Sequence, residues 1–191
     1  MKRVIYVWVA SMLMLTSCVV GNRDVIHQER HVGEFHSISI DDVADVNIRP
    51  GESHKVVVIT DENLQHYVLT KTRNNVLYIS IKTKKGFVPT KLVVDVQLPE
   101  LRSLDLNGVG EVKISDGSAT DLSISLSGVG NIEARNYQIE NVTIRHSGVG
   151  EATIWATNSL SGTLSGVGEI RYKGNPEVSV KVSGVGKVKK L

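Results

Sequence analysis

The sequence predicts an all-β protein built as a single-stranded β-solenoid. Three observations carry this prediction: a tripeptide that recurs at near-constant spacing, apolar residues that alternate with polar ones around it, and a composition suited to strands. The 191 residues include only 4 prolines and as many as 17 glycines, and β-branched residues and serines are frequent. Such a composition favours strands joined at glycine corners. Long amphipathic helix patterns are missing.

The repeated tripeptide is Gly-Val-Gly. It occurs at residues 108–110, 128–130, 148–150, 166–168 and 184–186, so successive copies are 20, 20, 18 and 18 residues apart. The preceding residue is Asn107 in the first copy and serine in the other four. A unit this short cannot bury its own apolar face, and neighbouring units must therefore stack. Each unit is predicted to form one coil of 18–20 residues.

Apolar residues occupy alternate positions on both sides of each tripeptide. In the second copy, Leu122, Ile124 and Leu126 come before it and Ile132 follows it, which is the period of a strand with one buried face. By the same alternation both glycines point inward, where the backbone must approach a neighbour closely or bend. His146 falls in an inward column and is predicted to be a buried, hydrogen-bonded histidine. The valine of each copy points outward. We call these five residues the valine ridge: Val109, Val129, Val149, Val167 and Val185.

The N-terminal half is less regular but also rich in strand patterns. Residues 32–101 contain several alternating runs and turn signals, and residues 61–67 are predicted to form one short helix. We expect this half to cap the stack or to continue it irregularly, with the repeated coils beginning at about residue 102. At the other end, Lys187, Lys189 and Lys190 on the last strand would discourage edge-to-edge pairing.

The first segment has the features of an export signal. Lys2 and Arg3 precede an apolar stretch that is shorter than the roughly 20 residues of a membrane-spanning helix. The stretch ends in Leu15-Thr16-Ser17-Cys18, which resembles the lipobox of bacterial lipoproteins. We therefore predict a signal peptide over residues 1–17, lipidation of Cys18, a tether over residues 18–31 and a solenoid domain over residues 32–191. Cys18 would attach the protein to a membrane, and the absence of an aspartate directly after it favours the outer membrane.

The whole pattern resembles the autotransporter-adhesin head GIN domain family of bacterial envelope proteins. The resemblance rests on Phe35, Ile38 and Ile40, on the repeated Ser-Gly-x-Gly turns and on the ending at residues 183–191. It covers residues 32–191 and implies a right-handed β-helix-like fold and a location in the cell envelope. It implies no particular activity. The family commonly has serine between the two glycines, where this chain has valine in all five copies.

The charge pattern argues against several classes of function. The chain has 22 lysines and arginines against 20 aspartates and glutamates, and Lys2 and Arg3 belong to the predicted leader. The remaining chain is neutral overall, which gives no general attraction to nucleic acid. Next to the valine ridge runs a column that could be considered for calcium, formed by Glu111, Asn131, Glu151 and Glu169. The adjacent outward column supplies Lys113 and Arg171, and we predict no metal and no cofactor.

No catalytic constellation emerges from the sequence, and we predict that the protein is not an enzyme. The carboxylates are spread evenly along the stack, and His27, His31 and His36 lack a zinc-ligand pattern. Trp155 is either a platform for a sugar ring or the cover of a corner. The preferred hypothesis is a lipid-anchored, adhesin-like module that binds a protein, a glycan or a second copy through the valine ridge. The alternatives are a carbohydrate-active β-helix enzyme, a lyase or hydrolase, and a periplasmic sensor.

Overall fold

The stacked coils of the repeat are present in the structure, which is a computed structural model that describes residues 18–83 and 86–191. Strands account for 70% of the described residues and helix for 3%, and parallel coils of about 20 residues form a β-solenoid of about four turns. The predicted fold class is confirmed. The predicted signal peptide, residues 1–17, lies outside the described residues. Within the described part of the chain, no helix is both long and apolar enough to cross a membrane.

Most strands have two to seven residues, and the three between residues 117 and 164 are longer, with 10, 18 and 16 residues. The elements are β1 (Val19–Val20), β2 (Val25–Arg30), β3 (Ser37–Ile40), β4 (Asp45–Pro50), β5 (Lys55–Asp61), the 3-10 helix η1 (Glu62–Tyr67), β6 (Val68–Arg73), β7 (Val76–Ile81), β8 (Phe87–Val88), β9 (Leu92–Leu98), β10 (Ser103–Leu106), β11 (Val109–Ile114), β12 (Gly117–Leu126), β13 (Val129–His146), β14 (Val149–Leu164), β15 (Val167–Lys173), β16 (Glu177–Val182) and β17 (Val185–Lys190).

Two ladders of parallel strands run along the solenoid, one on each side of the Gly-Val-Gly corner. The ladder before the corner consists, in stacking order, of β3, β10, β12, the second part of β13, the second part of β14, and β16. The ladder after the corner consists, also in stacking order, of β4, β11, β13, β14, β15 and β17. The register pairs each Gly-Val-Gly with the next, as the spacing predicted. The inward residues form one core, in which Leu104, Ile124 and Ile144 are completely or almost completely buried.

The glycines allow successive corners to stack without a gap. A Cβ atom on Gly130 would lie 1.9 Å from the carbonyl oxygen of Gly110, and one on Gly150 would lie 1.8 Å from that of Gly130. Gly150 also has a φ of 140°, a backbone region that residues with a side chain rarely adopt. The predicted close approach of the backbone at the corner is therefore confirmed.

The N-terminal half closes one end of the solenoid. The coil formed by β3 and β4 lies between the coil of β7 and β9 and that of β10 and β11. The chain leaves this coil through β5, which pairs antiparallel with β9, and returns through β6, which pairs antiparallel with β7. Helix η1 connects β5 to β6, and its Leu64 is completely buried. The predicted short helix is confirmed, as a 3-10 helix. This half both continues the stack and caps it, so the stacked coils begin well before the expected residue 102.

The predicted tether is wrong, because residues 18–31 are folded onto the body. Strand β2 pairs antiparallel with β5, and β1 pairs in parallel with β8. The carboxylate of Asp61 fastens this segment by accepting hydrogen bonds from the backbone N–H groups of Arg23 and Thr90, both at 2.7 Å. Burial alone would raise the pKa of Asp61, but the hydrogen bonds from Thr90 and Arg23 prevail and lower it. The segment has no strong alternation of its own, and contacts with distant residues hold it in place.

His146 is completely buried, as predicted, in the column that also holds Leu126 and Leu164. Its Nε2 lies 2.9 Å from the carbonyl oxygen of Gly150. A carbonyl can only accept, so we assign the proton to Nε2. The other ring nitrogen, Nδ1, has no hydrogen-bond partner within the described residues. The side chain is thus a core residue.

Candidate functional site

The valine ridge lies on the outer surface of the corner, one residue per coil. Its members pair in register from Val109 to Val185. The first four are 47–50% exposed and Val185 is 74% exposed. Val43 bridges to Val109 and is 55% exposed, so it continues the column toward the capped end. Six valines at about 4.8 Å per coil make an apolar line about 24 Å long.

Val43 was missed in the sequence because its neighbours are not glycines. Its coil reads Asp42-Val43-Ala44 where the later coils read Gly-Val-Gly. The signal that could have found it is the flanking alternation, since Ile38 and Ile40 come before it and Val46 follows it, at the same offsets as in the repeats.

A column of hydroxyl and amide side chains runs along one side of the valine ridge. It consists of the residues that precede the tripeptide, including Asn107 and Ser127, which are exposed. Asp41 occupies the equivalent place in the first coil and accepts a hydrogen bond of 3.0 Å from the Asn107 amide. The Ser127 hydroxyl in turn donates to the Asn107 side-chain oxygen over 2.8 Å. This side offers donors and acceptors next to the apolar line.

The other side of the ridge is charged and largely paired. The Arg171 guanidinium contacts Glu151 at 3.0 Å and Glu169 at 2.9 Å, and the Lys187 ammonium lies 3.0 Å from Glu169. Hydrogen bonds from Lys187 and Arg171 lower the pKa of Glu169, and the same pairing raises the pKa of Arg171. Lys113 pairs with a further member of the acidic column at 3.1 Å. The expected neutralisation of the carboxylates by the adjacent basic column is thus observed.

The arrangement of these carboxylates does not resemble a calcium site. Each one faces a cation, whereas a calcium ion requires six to eight oxygen ligands directed at one point. Among residues 18–83 and 86–191, no three His, Cys, Asp or Glu side chains are grouped so that they could hold a metal ion. His27 and His31 are exposed, and the Nδ1 of His36 lies 3.1 Å from the Ser37 hydroxyl.

The capped end of the ridge opens into a groove of about 460 Å³. Val43 and Val109 form one wall, and the chain from Pro89 to Val93 forms the other. This volume lies within the range of roughly 300–1,000 Å³ that ligand-binding clefts usually have. No pattern in the sequence predicts the groove, because it arises from the position of a loop that is distant from Val43 in the chain.

Two smaller grooves contain carboxylates. In one of about 210 Å³, Glu100 pairs with Arg102 at 2.7 Å, and this hydrogen bond lowers the pKa of the glutamate. The other, of about 260 Å³, contains Asp105 and Arg145 beside a row of hydroxyls. Burial and the nearby Asp41 raise the pKa of Asp105. The pKa of Asp105 is thus shifted in the direction that a general acid requires, and that of Glu100 in the opposite direction.

Trp155 is a half-buried residue within β14, at the register shift between the two parts of β13 and β14, and its ring is not free. The Lys173 ammonium lies 3.7 Å from the ring centroid, within the distance of a cation–π contact. A sugar stacking on this side of the ring would have to displace the lysine. The structure thus favours the interpretation of Trp155 as the cover of a corner.

Comparison with known proteins identifies one family. Residues 34–116 and 108–176 match the model of the family described as "Putative auto-transporter adhesin, head GIN domain". Among solved structures, a putative adhesin from Bacteroides fragilis superimposes with a TM-score of 0.62 at 24% identity, over 91% of this chain and 100% of the other. At this level of identity the likeness establishes the fold alone.

Two further solved structures are more distant. A putative adhesin from Parabacteroides distasonis has a TM-score of 0.45 at 20% identity, and a putative lipid binding protein from the same species has 0.43 at 21% identity. Each match covers 92% of this chain and 100% of the other. Among curated proteins, none matches this chain.

Proposed function

Since the chain belongs to the auto-transporter adhesin head GIN domain family, we propose that it is a lipid-anchored, non-catalytic binding module of the bacterial outer membrane. In this proposal the module is adhesin-like and meets a protein or glycan partner along the valine ridge. The family itself indicates an adhesin-like role at the cell surface or envelope. The lipid anchor, the membrane and the absence of catalysis are parts of the proposal.

The observation that carries the proposal is the unbroken exposure of the valine ridge. Apolar residues scattered singly on a surface need no explanation, but a contiguous apolar patch is typical of an interaction site. Here the patch is a straight line with hydrogen-bonding groups on one side and paired charges on the other. An apolar centre with a polar rim is the usual composition of a recognition surface.

Stacked β-branched side chains also stabilise neighbouring strands, but this effect does not require that the exposed side chains be apolar. Polar β-branched threonines would stack equally well and would leave no apolar line in water. The groove next to Val43 adds to the argument, because it gives a partner a concave place to bind at one end of the line.

The anchor would attach at the capped end of the solenoid. Cys18 is exposed and directly precedes β1, whose Val19 N–H donates to the carbonyl of Gly86 over 2.7 Å. Lipidation at this position would hold the capped end near the membrane. The valine ridge would then run away from the membrane toward the last coil, at the distal end.

Lipid anchoring is tested by labelling cells of a Gram-negative host with an alkyne-bearing fatty acid. The full chain should become labelled and fractionate with the outer membrane, and Cys18→Ser should lose the label. A labelled Cys18→Ser protein would contradict the anchor without affecting the proposed role of the ridge.

The role of the valine ridge is tested on the soluble chain of residues 18–191 carrying Cys18→Ser. Light scattering and a glycan array compare this protein with the variant Val129→Ser, Val149→Ser and Val167→Ser. The matched control removes three outward hydroxyls from the same coils, through Ser123→Ala, Thr143→Ala and Ser161→Ala. The proposal expects that any oligomer or glycan signal is lost in the valine variant and retained in the control. An unchanged valine variant would refute it.

A carbohydrate-active enzyme is the second candidate, and Asp105 is the observation in its favour. Glycosidases require a carboxylic acid whose pKa is raised by its surroundings, and Asp105 meets that condition. A reducing-end assay on envelope polysaccharides, with Asp105→Asn for comparison, distinguishes the two candidates. Turnover that disappears in the variant would establish the enzyme.

A further inference from the structure

The two ends of the solenoid are built differently. At the first end, η1 and the antiparallel strands cover the core, and Leu64 and Val68 are 0% and 2% exposed. At the second end, β16 is paired only with β14 and β17 only with β15 within the described residues. Repeat proteins generally need a terminal unit that closes the stack, and among residues 18–83 and 86–191 no strand pairs with the outer edge of the last coil.

The inward residues of the last coil show the consequence. Val178 lies over Leu160, and Val182 lies over Leu164 in the register of β14 and β16. The two leucines are 0% exposed, whereas the valines are 41% and 44% exposed. These valines occupy core positions by sequence and by register, and yet they face solvent. The apolar surface thus lies across the end of the core itself.

The strands around this surface have unused hydrogen-bonding groups. In the last coil, Val185 N–H donates to the carbonyl of Gly166 and Ser183 N–H donates to that of Leu164, both at 2.9 Å. In a parallel ladder, the alternate residues direct their N–H and C=O groups to the other side. On β16 and β17 that other side is open. Such an edge is a template for one further extended strand.

The charges around this edge are predominantly positive. Lys181 projects from β16, and Lys187 and Lys189 project from β17. Lys187 is paired with Glu169, but Lys189 lies opposite Arg171 in the register. Like charges directly opposite each other are unfavourable. A second copy of this chain, docked end to end, would bring two such lysine sets together.

We propose that the last coil binds an extended polypeptide strand that carries carboxylates at alternate positions. The strand would continue the ladder along β16 and, past the corner, along β17, so that it covers the exposed Val178 and Val182 and places its carboxylates next to Lys181 and Lys189. The lysines would act in two ways, by rejecting a second copy of the chain and by selecting an acidic partner. This inference is independent of the valine ridge and of lipidation.

The test uses the chain of residues 18–191 with Cys18→Ser and a labelled fourteen-residue peptide in which valine alternates with glutamate, long enough to lie along residues 177–190. A peptide in which valine alternates with lysine serves as the control. Fluorescence anisotropy should give saturable binding of the acidic peptide at least tenfold tighter than that of the basic one, and added salt should weaken it. Equal binding of both peptides, or no binding of either, would overturn the proposal.

The variant Lys181→Glu and Lys189→Glu should reverse the preference and favour the basic peptide by at least tenfold. Lys187 is left unchanged because of its pairing with Glu169. The matched control is Lys71→Glu and Arg73→Glu on β6, an edge strand of the capped end, and it should retain the original preference. A reversal in both variants would show that the net charge of the protein alone determines which peptide it prefers, and would overturn the proposal.

Hydrogen exchange on the unmodified protein gives a readout that does not depend on the variants. The acidic peptide should slow exchange at least tenfold for amides of residues 177–190 and leave β2 and β6 unchanged. Protection elsewhere would contradict the assigned place. A stable dimer in light scattering, protected at the same residues without peptide, would identify a second copy as the occupant and refute the acidic strand.

Discussion

The stacking of the Gly-Val-Gly corners can be tested by adding one methyl group. In Gly150→Ala the new Cβ would lie 1.8 Å from the carbonyl oxygen of Gly130, whereas real Cβ contacts essentially never fall below 3.0 Å. The two coils would have to separate locally by about 1.2 Å, which is a quarter of the coil spacing of about 4.8 Å. Such a shift would break or lengthen the hydrogen bonds that join β13 to β14.

The expected loss of stability follows from two contributions. Forcing extra volume into a packed site costs about 1–3 kcal/mol. The φ of 140° at Gly150 adds backbone strain of about 1–3 kcal/mol for a residue with a side chain. A total of about 4 kcal/mol would lower the Tm of a domain of this size by roughly 8–16 °C.

The assay is thermal unfolding followed by circular dichroism, with Gly33→Ala as the control. A Cβ on Gly33 would be 3.9 Å from Thr72, which is ordinary contact, and its Tm should stay within about 2 °C of the unmodified protein. If Gly150→Ala also unfolded within 2 °C of the unmodified protein, the close stacking of the corners would be refuted.

Two other predictions concern the hydrogen bonds of Asp61 with Arg23 and Thr90 and the contact between Lys173 and Trp155. The folded-state pKa of Asp61 is lowered below its ordinary value of 3.8, so the stabilisation by its carboxylate is complete above that value and is lost as the pH falls through the folded-state pKa. The Tm of Asp61→Asn should therefore lie below that of the unmodified protein at pH 7, and this difference in Tm should narrow in acid. The exposed Asp116→Asn should show no difference in Tm at either pH. Lys173→Leu removes the cation–π contact with Trp155 and should lower the Tm by about 1–4 °C, corresponding to about 0.5–1 kcal/mol. The fluorescence emission of Trp155, the only tryptophan after residue 17, should shift to the red.

The repeated half could be predicted in detail because its register is local information. Equal spacing of the tripeptides places Val129 over Val109 and Ile132 over Val112, and the structure has these pairs. Alternation then decides which side chains point outward. The exposure of the valine ridge follows from these two rules without any knowledge of long-range contacts.

The N-terminal half was less predictable because its strands are ordered by distant partners. Strand β2 is fixed by antiparallel pairing with β5, a contact between residues about 30 positions apart that leaves no periodic signal. The place of β3 and β4 inside the stack, instead of at its end, depends on the return of the chain through β7 and β9. The groove beside Val43 depends on the same long-range arrangement.

The central claim is that the valine ridge is the surface through which this protein meets its partner. The most direct measurement is flow cytometry of whole bacterial cells with the fluorescently labelled chain of residues 18–191. We predict saturable binding that is lost in the variant Val129→Ser, Val149→Ser and Val167→Ser and retained in the variant of the three outward hydroxyls. Binding that survives the loss of the three valines, or is lost equally in both variants, would contradict the claim.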